Sequence, residues 1–129
     1  MENAVLLSSP GNLFKRLGFE QSIMEDILKQ IKKAITEVAQ RHGIEIDKII
    51  LFGSRARGDS REESDWDVLI ITKHENKDTS KFLKDIKIKL SIEMKIPNDL
   101  IIVSKKYYEE KKGDVGSIGY HAEAEGIVI

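Results

Sequence analysis

From Gln21 to His42 the apolar residues Ile23, Met24, Ile27, Leu28, Ile31, Ile35, Val38 and Ala39 recur at steps of three and four. That spacing predicts one apolar face of an amphipathic helix, stopped by Gly43, and core packing alone accounts for such a stripe. The next segment, "IEIDKIILF" from Ile44 to Phe52, opens with alternation and closes as an unbroken apolar run, the pattern of a strand entering the middle of a sheet. "WDVLIIT", Trp66 to Thr72, reads as a second buried strand. A polar stretch, "KHENKDTS", separates it from a helix over Ser80 to Glu93 with Phe82, Leu83, Ile86 and Leu90 inward. Pro97 closes that element, and "DLIIV" from Asp99 to Val103 reads as a third strand. "KKYYEEKK" predicts a short exposed helix with a solvated charged face. The tail predicts a helix from Ser117 to Glu125, a stop at Gly126 and a final apolar strand or docked end. Ahead of Gln21, the turn signal "SSPGN" and the apolar patch "LFKRLGF" read as an extension without an assigned role. Residues 21–129 are then the domain, and the order helix, strand, strand, helix, strand, helix gives a small mixed α/β or α+β fold.

Composition narrows the class of protein. A chain of 129 residues makes one domain, long enough to bury roughly two thirds of the surface its unfolded form exposes. Apolar residues are 40% and charged residues 33%, with no cysteine, so disorder over most of the length, a disulfide framework and thiolate chemistry are all unexpected. No run approaches the roughly 20 apolar residues of a membrane span, and "MENAVLLSSPG" lacks the basic flank and long apolar region of a signal peptide. A cytoplasmic protein is expected. The net charge of −1 provides no global field to gather phosphate backbones, so nucleic acid is not expected as a direct substrate.

The chemistry is concentrated in "GSRARGDSREESDWD", residues 53 to 67, directly behind the first strand. Gly53-Ser54 at a strand end allows a tight turn, and a helix-prone "RAR" after it would leave backbone N–H groups free near Ser54, which suits an anion. The Ser54 hydroxyl could donate to a phosphate oxygen, and Arg55 or Arg57 could add a charge-assisted contact. A plain strand-to-helix turn with solvated arginines explains the same residues. Asp65 and Asp67, one residue apart, would point to one side of a strand while Trp66 points to the other. Two like charges that close need a counter-charge, and Mg²⁺ in nucleotide enzymes is commonly held by one or two carboxylates with phosphates and water. An exposed acidic turn is the alternative. Asp99 opens the third strand and supplies a possible third carboxylate, although "PND" also reads as a turn that Asp99 caps. Three carboxylates would permit a two-metal site, with Asp99 as the candidate general base.

Gly53-Ser54, ten intervening residues, Asp65-Trp66-Asp67 and then Asp99 at the head of a later strand resemble the nucleotidyltransferase superfamily that includes DNA polymerase beta. The short chain and the closing "GSIGYHAEAEGIVI" resemble its minimal nucleotidyltransferases. The resemblance covers about Gln21 to Ile129. It implies a mixed sheet flanked by helices, Gly53, Ser54, Arg55 and Arg57 around the triphosphate of ATP, and Asp65, Asp67 and Asp99 as ligands of Mg²⁺, two ions in all. Many minimal nucleotidyltransferases are similar to antitoxins that pair with a HEPN-domain toxin, a helical ribonuclease, and inactivate it by transferring AMP to a tyrosine. The resemblance thus implies a protein partner and a homo- or hetero-oligomer.

Other readings remain open on the residues alone. A small-molecule acceptor is possible if dimerisation builds its pocket. An interaction protein could neutralise a partner by binding, with the nucleotide site as relic or regulator. A glycosyltransferase "DWD" motif would need a longer chain and would not explain Gly53-Ser54, and the acidic spacing does not match a helix-loop-helix Ca²⁺ site. His42, His74 and His121 are too scattered for a metal cluster. Tyr107 and Tyr108 could contact a partner or pack the last helices.

Overall fold

A computed structural model describes the backbone from Pro10 onward and the side chains from Gln21 onward. The part of the expected extension that precedes Pro10 lies outside the described residues. The first helix, α1, runs over Pro10–His42 and so starts well before Gln21. Proline fits a first helical position because its missing N–H is one the first turn leaves unpaired anyway. Gly18 costs such a helix about 1 kcal/mol but does not break it. The chain divides at Ile31 into two units, the helical segment before Lys32 and a body from Lys32 to Ile129. In the first, Ile23 is exposed and Met24, Ile27 and Leu28 are half-buried; in the second, Ala34, Ile35, Val38 and Ala39 are buried.

The body is built on four strands in the order β3-β2-β1-β4. These are β1 Ile46–Phe52, β2 Trp66–Thr72, β3 Asn98–Ser104 and β4 Ile127–Val128. β1 is antiparallel to both β2 and β4, whereas β2 and β3 are parallel. A parallel neighbour requires a crossover. It is supplied by α3, Ser80–Lys87, continued by a π-helical segment over Ile88–Glu93. Together they fill the span expected from the apolar spacing, with Phe82, Ile86 and Leu90 buried and Leu83 half-buried. His42 at the end of α1 meets Asp85 of α3 at 2.7 Å and lies 5.8 Å from the Phe82 ring, tying that helix end to the crossover.

The two sheet faces follow from alternation. One carries Ile50, Phe52, Leu69 and Ile71 and is covered by Tyr108 and Ala122, with Ile101, Val103 and Ile118 packed against them. Tyr108 comes from α4, Lys105–Lys111, capped by Ser104 Oγ, which accepts from the Tyr107 N–H at 3.1 Å. The exposed helix expected here keeps its charged face in solvent, and of the two uses left open for its tyrosines the packing one holds for Tyr108. Tyr108 is buried and its hydroxyl donates to Glu123, while Tyr107 is exposed. Burial first, and then Glu123, hold that phenol well above the usual tyrosine range. Ala122 comes from α5, Ile118–Glu125, capped in the same way by Ser117.

Candidate functional site

The row Ile71, Leu69 and the row Val103, Ile101 run down one face of β2 and β3 and end in Asp67 and Asp99. Those two residues stand directly opposite in the parallel register, on strands that pair about 4.8 Å apart. Across β1, Asp67 pairs with Phe52, the last residue before the turn. A carboxylate therefore takes the place of the next apolar side chain where the face runs out. Trp66, one residue earlier, is buried on the opposite face, as the alternation of "DWD" requires.

The turn between β1 and the short helix α2, Gly53–Arg57, is shaped around Asp67. Gly53 has φ +74°, in the left-handed region, and a Cβ there would collide with the Asp67 carboxylate. Glycine meets both demands at once. Ser54 follows, half-buried, and its carbonyl accepts the Gly58 N–H at 2.9 Å, with Gly58 in the left-handed region at φ +87°. No side chain caps the first turn of α2.

Burial, then the charges of Asp99 and Asp65, push the Asp67 carboxyl above its ordinary range, and the positive charge of Arg57 opposes them. The three carboxylates thus share one electrostatic field. Asp65 lies just ahead of β2, exposed like Asp99, whereas Asp67 is half-buried. Among the described residues no three acidic or imidazole side chains converge closely enough to enclose an ion unaided. Two carboxylates plus ligands from a substrate remain a sufficient set for a hard cation that keeps phosphate and water in its shell. The mutual repulsion around Asp67 is what such a cation would relieve.

The two arginines do different things. Arg55 lies over the Trp66 ring at 4.5 Å, on the side of β2 away from Asp67. Its Nη2 donates to the Glu62 carbonyl at 3.0 Å and the Ser64 carbonyl at 2.8 Å, and Nη1 reaches Ser60 Oγ at 3.5 Å. The guanidinium braces the loop that leads into Asp65, and its buried Nε has no partner. Arg57 remains at the surface, donating to Glu125 and Asp59. No motif in the sequence points to Glu125, whose contact with Arg57 joins positions 68 residues apart. The histidines are dispersed: His42 is paired with Asp85, His74 with Glu45, and His121 packs edge-on to Tyr120.

Comparison with known proteins places this arrangement. The profile of the family described as "Polymerase beta, Nucleotidyltransferase" matches residues 33–114, from α1 through α4. The chain belongs to that family. Two relatives of this nucleotidyltransferase in Methanocaldococcus jannaschii each bear the name "putative protein adenylyltransferase". One is 50% identical over 48 residues, which is 37% of this chain and 46% of the relative. The other is 51% identical over 43 residues, 33% of this chain and 43% of the relative. The chain therefore spans under half the length of the curated relatives it matches. A solved structure described as that of a "putative minimal nucleotidyltransferase" superposes with a TM-score of 0.50 at 25% identity, covering 79% of this chain and 92% of the other. The mixed sheet and its helices are thus a nucleotidyltransferase fold. Among the described residues no helix is long and apolar enough to cross a membrane.

Proposed function

We propose that this nucleotidyltransferase transfers AMP from ATP to a hydroxyl of a partner protein, in a reaction that depends on Mg²⁺. The observation that carries this reading is the seating of Asp67 against Gly53, with Asp99 opposite it in register and Ser54 opening the turn. Carboxylates and an anion-binding turn are brought to one sheet end, where a triphosphate would lie between them.

In this reading the Ser54 hydroxyl and the Arg57 guanidinium hold phosphate oxygens, and Gly53 lets the backbone come close to them. Asp65 and Asp67 would hold the magnesium and Asp99 would complete the set, so that a two-ion arrangement would draw on all three. Bound Mg²⁺ would polarise the phosphoryl oxygens and offset the charge that develops on the leaving group. The acceptor oxygen attacks the α-phosphorus, the bridging bond to the β-phosphate breaks, and pyrophosphate departs. Asp99, at the exposed end of its row, takes the hydroxyl proton.

The names of the archaeal relatives support a protein acceptor. A HEPN-domain toxin as the partner, with this chain as its antitoxin, is what the sequence resemblance to minimal nucleotidyltransferases implies, and it is proposed on that ground. The deciding experiment co-purifies partners from the source cells, incubates them with ATP and Mg²⁺, and weighs each by intact-mass spectrometry beside the Asp67→Asn variant. The expected result is a partner that gains one adenylyl group with the unaltered protein only. A partner that binds both versions equally and gains no mass would overturn transfer in favour of stoichiometric neutralisation. A mass gain on a small molecule alone would overturn the protein acceptor.

A further inference from the structure

The Arg57 guanidinium is held from outside the turn that carries it. Its Nη1 donates to Glu125 Oε1 at 3.0 Å and its Nε to Asp59 Oδ2 at 3.3 Å, while Nη2 makes no hydrogen bond to a described residue. Its charge acts on Asp67. Glu125 ends α5, and its place is set by packing around the next residue. At Gly126 a Cβ would collide with the Ala122 carbonyl and the Ile50 side chain, so only glycine lets the chain close down on β1. Ile127 and Val128 then pair with Leu51 and Ile50, and the Ile129 N–H donates to the Ile49 carbonyl at 2.9 Å. Glu125 is therefore anchored to the strand that leads into Gly53-Ser54.

We propose that Glu125 is a positioning residue for nucleotide binding: from α5 it orients Arg57, together with Asp59, so that the unengaged Nη2 edge meets the triphosphate at the Gly53-Ser54 turn. The inference rests on the reading of Arg57 as a phosphate contact. An ion pair with its two side chains 45% and 32% exposed adds little to folding stability. What it does is take rotamer freedom from a long side chain before the ligand arrives, and pre-orientation of that kind appears in affinity. The guanidinium suits the task because its five donors lie in one plane, so two can be spent on carboxylates and the remainder left for phosphate.

The test titrates ATP with Mg²⁺ into the full chain by calorimetry, with AMP as the ligand that lacks the β- and γ-phosphates. Glu125→Ala should weaken ATP binding about three- to tenfold with little effect on AMP. Glu125→Gln, which keeps an acceptor oxygen, should recover part of the loss. Arg57→Gln should weaken ATP at least as much, and adding Glu125→Ala to it should change nothing further. That coupling is what a merely structural glutamate would not produce. If Arg57→Gln weakens ATP and neither Glu125 variant does, or if the two effects add in full, the inference is overturned and the phosphate site stands. If Arg57→Gln leaves ATP affinity unchanged, or the unaltered chain binds no ATP, the phosphate reading fails and takes the inference with it. Thermal midpoints measured alongside separate a binding loss from a folding loss, and Glu125→Gln serves if Glu125→Ala does not fold.

Discussion

At the residue scale, Asp67 is where stability and chemistry pull in opposite directions. Burial first, then Asp99 and Asp65, raise its pKa above the ordinary 3.8. A carboxyl raised in the folded state costs stability once ionised, so stability is lost as the pH climbs from about that ordinary value through the raised one. Asp67→Asn should therefore raise the thermal midpoint at neutral pH, and the gain should vanish at acid pH, where the native carboxyl is protonated; melts at both pH values check the sign. The same variant should lower nucleotidyl transfer by about 10² to 10⁴-fold, measured by single-turnover kinetics. Gly53 carries the complementary constraint. At φ +74°, with Asp67 where a Cβ would go, Gly53→Ala should cost about 1 to 3 kcal/mol in urea unfolding and displace the carboxylate it touches.

At the element scale, the loop between α2 and β2 owes its shape to Arg55. It joins three carbonyl or hydroxyl oxygens of the loop to the face of Trp66. Lysine has neither the planar fork nor the same stacking surface, so Arg55→Lys should destabilise the domain by about 1 to 2 kcal/mol. Amide exchange at Ser64, whose N–H is bonded to the Arg61 carbonyl, should quicken more than exchange in β1. Unchanged exchange there would show that the loop holds itself. The elements with strong periodicity were legible from the sequence: β2 was placed at its observed ends, and β1, β3 and the crossover helix within two residues. The early start of α1 was not, because "SSPGN" reads locally as a turn, although Pro10 also opens helices. Which of Tyr107 and Tyr108 packs inward was not legible either, since one buried ring inside "KKYYEEKK" leaves no periodic trace in so short a helix. The place of Asp67 at the head of β2, beside Asp99 at the head of β3, was legible because strand alternation is rigid, whereas Asp65 falls just ahead of β2, where alternation no longer sets its direction. The brace by Arg55 was not, because "GSRARG" alone does not say on which side of β2 each arginine falls.

At the scale of the whole molecule, the domain gathers negative charge at the sheet end where the proposed substrate, itself an anion, must bind. The overall balance of −1 supplies no positive field to offset it, and among the described residues Arg57 is the one cation whose charge is found to oppose the acids at Asp67. ATP alone should therefore bind poorly. Any ligand that binds only the folded state raises its stability by RT ln(1 + [L]/Kd), about 2.7 kcal/mol at one hundred times Kd. Thermal melts with ATP, Mg²⁺ or both should then show a clear rise only with the pair, because the cation relieves the repulsion around Asp67 and the phosphates complete its shell. Asp67→Asn should start from a higher midpoint and gain less from the same pair, since it has lost both the repulsion and the ligand. The two melts together separate a metal-bridged nucleotide site from a simple anion site. A rise with ATP alone, equal in both proteins, would mean that the turn and Arg57 bind phosphate without the carboxylates, and the proposed role of Asp67 would fall.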